Sequence, residues 1–327
     1  MDSFDVVTLG APGAGTTMFL AAMFSQLKAG QPADGPFLDI SLAQARMLQR
    51  MASAAADPEA GWPQADPPAW EFTCCTRAAG RVFEIFRINY LDFAGVRLRQ
   101  ALFGNTAIGH RFQQKILSAH ALLGVLDGLA LRYLLDDDPR GERRDGLGMK
   151  TVFQIMRTHA GHRPVHFVVS KWDLLADAYG LGDVRAKLME FGDFAALVRS
   201  GGPGCPAPLV RLIPVGALGS GFARLDAAGI VRPARAGVSS PVNAEIPLVA
   251  LPVDFYHARA AGPVLSEDLM GGLADVLTPA APWDGTAGVV DQRSAVRETI
   301  LNFRRRLEQF EERYPASRPD SQPAEHG

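Results

Sequence analysis

Asp5 to Leu27 reads DVVTLGAPGAGTTMFLAAMFSQL, and its three parts differ in kind. Asp5 to Gly10 is a short β-branched run ending in glycine, and Met18 to Leu27 is helical in composition, so the chain opens as strand, glycine-rich loop and helix. The loop, Gly10-Ala11-Pro12-Gly13-Ala14-Gly15-Thr16-Thr17, meets the phosphate-binding pattern G-x-x-x-x-G-K-[ST] at every fixed position except the lysine, where Thr16 stands. In an intact loop, backbone N–H groups and the helix N-terminus surround phosphate oxygens. The lysine brings charge to the β and γ phosphates, and the next hydroxyl ligates Mg²⁺. Here the amide cradle and Thr17 remain. Taken alone, the segment leaves a purely structural turn open.

Outward from this start, Leu38 to Ala56 has the pattern of an amphipathic helix ended by Asp57-Pro58, and Gly61, Pro63, Pro67 and Pro68 gather in a loop. Ala69 to Thr76 and Val82 to Leu91 read as a strand pair turning at Ala79-Gly80. Ala119 to Leu126, Val165 to Ser170 and Leu209 to Val215 are buried-strand candidates, separated by helical stretches such as Gly148 to His159 and Val184 to Ser200. Alternating strands and helices predict a doubly wound, largely parallel α/β sheet. Residues 227–243 read as a loop, and Pro247 and Pro252 allow only a short helix around Val253 to Ala261. The linker-like stretch Thr278 to Ala287 precedes a helix from Ser294 to Tyr314, where Val296, Ile300, Phe303, Leu307, Phe310 and Tyr314 alternate spacings of four and three. That seam suits packing on its own domain or docking to a partner helix. The polar tail after Pro315 reads as disordered. The division is 1–262 for the main domain, 263–293 for a linker and short helix, 294–315 for the amphipathic helix and 316–327 for the tail.

Composition removes several function classes. The 327 residues are 47% apolar with a formal charge of −2, and the basic residues are scattered, so nucleic acid is not the expected partner. Cys74, Cys75 and Cys205 have no ligand-like spacing, and adjacent Cys74 and Cys75 on a strand are expected on opposite faces. No apolar run approaches the roughly 18 to 20 residues of a membrane span, and no basic N-terminal region precedes a long apolar stretch, so the reading is a soluble cytoplasmic protein.

Three further motifs follow in order. Asp92-Phe93-Ala94-Gly95 matches D-x-x-G, in which a carboxylate holds Mg²⁺ and a glycine amide meets the γ-phosphate. Ser170-Lys171-Trp172-Asp173 resembles [NT]-K-x-D with serine first. A carboxylate at Asp173 can accept both N1–H and the exocyclic amine of guanine, which adenine does not offer, while the stem of Lys171 covers the base face. Ser170 or Asp173 as a simple helix cap is the competing reading. Gly216-Ala217-Leu218 is similar to the S-A-[KL] loop, whose alanine amide contacts the guanine carbonyl, with glycine in place of serine. Loops at the C-terminal ends of successive strands form one site in open α/β sheets.

On these residues the chain resembles the Ras-like (TRAFAC) P-loop GTPases over about residues 4–256. Through GAPGAGTTMFLAAMF and VNAEIPL (Val242 to Leu248), it looks like the bacterial double-GTPase families of conflict and defence systems. The resemblance implies a P-loop GTPase type of sheet with helical insertions and a C-terminal helix, and GTP or GDP with Mg²⁺ as ligand. Gly10, Gly13, Ala14, Gly15, Thr16, Thr17, Gly95, Ser170, Lys171, Asp173, Gly216, Ala217 and Leu218 would then contact nucleotide, and Thr17 and Asp92 the metal. The departures are Thr16 for lysine, Val96 where a polar residue orients water, and Ala65 where a switch threonine is looked for. Losing that lysine and that polar group costs several powers of ten in phosphoryl transfer. Arg97 and Arg99 are surface arginines or replacements for part of the charge. The reading is therefore a guanine-nucleotide-binding switch or scaffold with slow or absent hydrolysis and a protein partner, engaged in one version through the C-terminal helix. Its alternatives are a nucleotide-free pseudo-GTPase serving as an interaction module, and a GTPase completed by a partner chain.

Overall fold

The computed structural model describes residues 3–27, 36–55, 69–78, 81–94, 107–141, 148–199, 208–219, 222–225, 231–233 and 240–260, together with Leu307 and Phe310. The strands are β1 (Ser3–Gly10), β2 (Phe37–Asp39), β3 (Ala69–Ala78), β4 (Arg81–Ala94), β5 (Ala121–Asp127), β6 (Val165–Ser170), β7 (Val210–Pro214), β8 (Ala223–Leu225) and β9 (Val231–Pro233). The helices are α1 (Thr16–Leu27), α2 (Leu42–Ala55), α3 (Ala107–Ser118), α4 (Gly128–Leu135), α5 (Gly148–His159), α6 (Leu181–Leu188), α7 (Gly192–Arg199) and α8 (Ile246–Ala260).

Seven strands form one sheet in the order β2-β3-β4-β1-β5-β6-β7, parallel from β4 through β7 and antiparallel on both sides of β3. The apolar runs of β5, β6 and β7 are buried throughout, as strands covered on both faces must be. Alternation in β1 sends Val6 into a core with α1, α2 and α8, while Val7 and Leu9 pack with α3 to α7 on the other side. After β1 the parallel sheet grows first through β4 on one flank and then through β5 on the other. The loop that leaves β1 therefore sits at the switch point where such sheets bind ligands.

The doubly wound α/β reading holds, and β6 and α5 have the expected bounds. Four local expectations are corrected. Leu38 belongs to β2, paired with Cys74 of β3, and α2 begins only at Leu42 after Ser41, whose hydroxyl accepts from Gln44 N at 3.3 Å. The single helix expected over Val184 to Ser200 is two, α6 and α7. The break at Met189–Phe191 lets both Phe191 and Phe194 meet Phe153, at ring-centroid separations of 5.5 and 5.3 Å. Within the expected loop 227–243, Val231–Pro233 pairs with Ala223–Leu225. The helix around the two prolines is 15 residues long. Pro247 falls in its first turn, where an N–H has no partner to lose, and burial of Ile246, Leu248, Val249, Leu251 and Val253 outweighs the bond lost at Pro252.

A register shift at Cys74/Cys75 interrupts the expected alternation, and both residues are buried free thiols. Burial pushes both thiols up, Cys75 to about 11 and Cys74 further, which leaves them unreactive. Among the described residues no helix is long and apolar enough to cross a membrane, and no group of three His, Cys, Asp or Glu side chains could hold a metal. The loop Asp57–Pro68, Gly95 with Val96, Arg97 and Arg99, Cys205, the linker and the tail lie outside the described residues. So does the C-terminal helix, except for Leu307 and Phe310. These two seam positions are buried in the core that α1, α2 and α8 share with the sheet.

Candidate functional site

The loop after β1 is built on backbone geometry. Gly13 (φ 79°) and Gly15 (φ 92°) occupy the left-handed region that side-chain-bearing residues rarely enter. Ala14 N bonds Ala11 O at 3.0 Å to close the turn, and Phe19 N bonds Gly15 O at 2.9 Å to start α1. A Cβ placed on Gly13 would meet no heavy atom within 4 Å, so the space beside it is open to a ligand. Thr16, in the place of the usual lysine, is only 4% exposed, and its hydroxyl oxygen lies 3.0 Å from where a Cβ on Gly10 would stand. Its side chain is packed under the loop. Thr17 is half-buried in the first turn of the helix.

At the end of β6 the chain turns sharply, because Lys171 adopts the left-handed conformation (φ 52°, ψ 36°). A residue with a Cβ adopts that backbone at a cost of roughly 1–2 kcal/mol, so the surroundings must hold it. They do so through polar contacts with the phosphate-type loop. Ser170 Oγ lies 2.5 Å from Ala14 O and 2.9 Å from Leu126 O, while Lys171 Nζ donates to Gly13 O and to Asp127 Oδ1, each at 2.7 Å. The helix-cap reading of Ser170 is thereby corrected: its hydroxyl serves the loop, and Lys171 holds the cap position of the short turn Trp172–Leu174 without a side-chain bond. A trans peptide points C=O and N–H in opposite directions, so holding Ala14 O at Ser170 turns the Gly15 N–H away from it.

Asp173 follows, half-buried, on that short turn. Burial raises its carboxyl above the usual range, while its own backbone amide and Lys171 pull the other way. One carboxylate oxygen lies 3.6 Å from where a Cβ on Gly216 would sit. Gly216 leaves β7 through Val215, whose N–H bonds Val169 O at 2.8 Å, and Trp172 N in turn bonds Val215 O at 3.1 Å. Asp173 and the Gly216-Ala217-Leu218 loop are thus neighbours across β6 and β7. Ionised, Asp173 is an acceptor-only group beside backbone amides, the chemistry that suits a planar ligand edge with two adjacent donors.

Asp92 stands near the C-terminal end of β4, in register with Thr8 of β1, on the same edge of the sheet. One hydroxyl and one carboxylate, Thr17 and Asp92, are too few for an all-protein metal cage. They fit Mg²⁺, which keeps waters and takes its other oxygens from phosphates.

The structure brings Gly10, Gly13, Ala14, Gly15 and Thr16 into one unit with Ser170 and Lys171, and Asp173 beside Gly216; Asp92 stands on the same edge of the sheet. The sequence reading missed Asp127. It lies one residue past the apolar run assigned as a strand and does two tasks, accepting Lys171 Nζ and capping α4 by accepting Leu129 N at 3.0 Å. An acid closing the run ALLGVLD just before a helix was the available signal.

Among solved structures, the FeoB G-domain from Methanococcus jannaschii is similar to this chain, with 13% identity over 66% of this chain and 88% of that one at a TM-score of 0.33. No protein-family model and no curated protein matches the chain.

Proposed function

We propose that this chain binds a guanine nucleotide with Mg²⁺ and acts as a switch or scaffold whose own hydrolysis is slow or absent. The observation that carries this reading is Lys171, which fastens the glycine loop at Gly13 O while the next-but-one residue, Asp173, presents a partly desolvated carboxylate beside Gly216. A site for phosphates and a site for an N–H-bearing base edge are thereby tied together at one sheet edge. Phosphates would meet the amides of Gly13, Ala14, Gly15, Thr16 and Thr17, and Mg²⁺ would meet Thr17 and Asp92. The base would meet Lys171, Asp173 and the loop Gly216 to Leu218. The likeness of GAPGAGTTMFLAAMF and VNAEIPL to the double-GTPase families of conflict and defence systems supports this reading, and a protein partner is part of the proposal.

A second reading, a nucleotide-free interaction module, is favoured by one observation: Thr16 replaces the lysine and its side chain is buried under the loop, so no cation from that position faces the open side. The two readings separate in thermal unfolding with GDP, a non-hydrolysable GTP analogue and ATP, each with Mg²⁺ and far above a plausible dissociation constant. Binding to the folded state must raise the midpoint. Stabilisation by guanine nucleotides alone, lost in Asp173→Ala, supports the first reading. No shift with any nucleotide supports the second.

A further inference from the structure

The loop proposed to meet the base is held from behind by a segment to which the proposed function assigns no ligand contact. Residues Ser240 to Ala244 run against it: Gly216 N bonds Val242 O at 3.1 Å, Val242 N bonds Gly216 O at 2.8 Å, and Ser240 N bonds Leu218 O at 3.2 Å. Two side chains fasten this strap. Asn243, itself in the left-handed conformation (φ 57°), donates from Nδ2 to Pro214 O at 3.1 Å. Gln26 donates from Nε2 to Pro241 O at 2.6 Å and accepts from Ala244 N at 3.1 Å, gripping the strap on both sides of Val242.

Gln26 is the penultimate residue of α1, about 15 Å along the helix from Thr16 at a rise of 1.5 Å per residue. One rigid element therefore carries the phosphate-type loop at its start and the strap of the base loop near its end. A surface glutamine needs only water. One that spends both ends of its amide on a single backbone segment fixes that segment in place.

We infer that Gln26 and Asn243 are positioning residues for base selectivity. They set the Gly216 to Leu218 amides at the distance from Asp173 at which those amides donate to an oxygen on the six-membered ring of the base. The inference rests on the guanine reading above, and it deepens that reading by naming what fixes the spacing between its two halves.

The test uses the full chain, as wild type, Gln26→Met and Asn243→Gly. The first variant keeps the bulk of the side chain without its amide, and the second keeps the left-handed backbone without the bond to Pro214. In nucleotide-free protein, amide hydrogen exchange at Gly216 should quicken about tenfold in both, the scale of one lost hydrogen bond, while exchange at Val6 and Val7 in β1 stays as in wild type. GDP affinity should fall about tenfold, while 6-thioguanosine diphosphate, which keeps the N1–H and amine that Asp173 accepts but carries a weakly accepting sulfur in place of the oxygen, should bind all three proteins alike. Unchanged exchange at Gly216, or an equal loss for both nucleotides, overturns the proposal. If wild type binds no GDP but Gly216 exchange still quickens, the guanine reading falls and the strap's hold on the loop stands.

Discussion

β6 carries a polar cluster at each end, and the two are built on opposite terms. At its start, His166 pairs in register with Arg211 of β7, and both bind Asp254 of α8: Arg211 grips the carboxylate with Nε and Nη2, and His166 Nε2 lies 2.7 Å from it. Side-chain exposure is 0–2% for all three, and Arg211 also donates to Leu307 O at 3.0 Å, which ties Leu307 to the sheet. At its end, Ser170 and Lys171 bind the glycine loop, and the side chain of Lys171 is 22% exposed. The buried cluster holds elements that never need to part. The open one joins two loops at the end of the sheet, one of them the glycine loop, where the nucleotide is proposed to bind.

The largest effect is expected at the buried end. Arg211→Met removes the guanidinium from the buried Asp254 carboxylate and leaves it His166 alone as partner, which should cost about 3–5 kcal/mol in denaturant unfolding. Adding Asp254→Leu should recover most of that loss, since the stranded charge is gone. Acid should act on the same cluster. Burial alone would raise the Asp254 carboxyl, but Arg211 and His166 outweigh it and hold it down to about 2. A folded-state value below the unfolded one means stability present at neutral pH and lost as pH falls from about 4 through 2, here about 2 kcal/mol. A flat stability profile over that range would show that Asp254 is not held as described.

Substitution at the open end should move binding with little effect on folding. Asp173→Ala should weaken GDP about a hundredfold, the scale of lost hydrogen bonds to a charged acceptor. Because burial raises the Asp173 carboxyl, the folded protein carries its charge at a cost, so the variant should unfold no earlier than wild type without ligand. Titration calorimetry beside ligand-free denaturation separates the two effects. A variant that unfolds early would make Asp173 structural and erase the contrast between the ends.

Lys171→Met comes next. It releases Gly13 O and Asp127 but leaves Asp173 in place, so GDP and any weak ATP binding should fall together by about tenfold. Selectivity between them should stay. If only GDP weakens, Lys171 acts on the base and not through the loop.

The open end was far more legible in the sequence than the buried one. Residue types at fixed local spacings can be read directly, so Gly13, Gly15, Lys171 and Asp173 could be singled out as candidates, and the structure brings Gly13 to Lys171 and Asp173 to Gly216. His166, Arg211 and Asp254 are 43 or more positions apart in every pairing and carry no local pattern. Leu209 to Val215 reads as a buried strand, but nothing beside Arg211 in the sequence points to Asp254 of α8 as the acid that pairs with it. That helix was itself obscured by Pro247 and Pro252, whose local penalty is visible in the sequence while the burial that offsets it is not. Gln26 and Asn243 were hidden for the same reason: a side chain that serves backbone groups more than 25 residues away, as both do, leaves no spacing to read.

The smallest effect, and the finest test of the contrast, is expected from Thr16→Lys. The hydroxyl of Thr16 is packed against Gly10, and a lysine stem is too long to stay there, so it must leave along the open side of the loop. Its ammonium would then stand in solvent-screened surroundings, where an ion pair contributes about 0.2–1 kcal/mol. Binding of a GTP analogue should strengthen by about threefold, and more than that of GDP, with the unfolding midpoint of the free protein little changed. A much larger gain would mean that the cradle is already set for the missing charge and that its loss alone had silenced the site. A fall in stability of the size expected for Arg211→Met would mean that Thr16 belongs to the core, and that the fold has closed over the place where the cation would act.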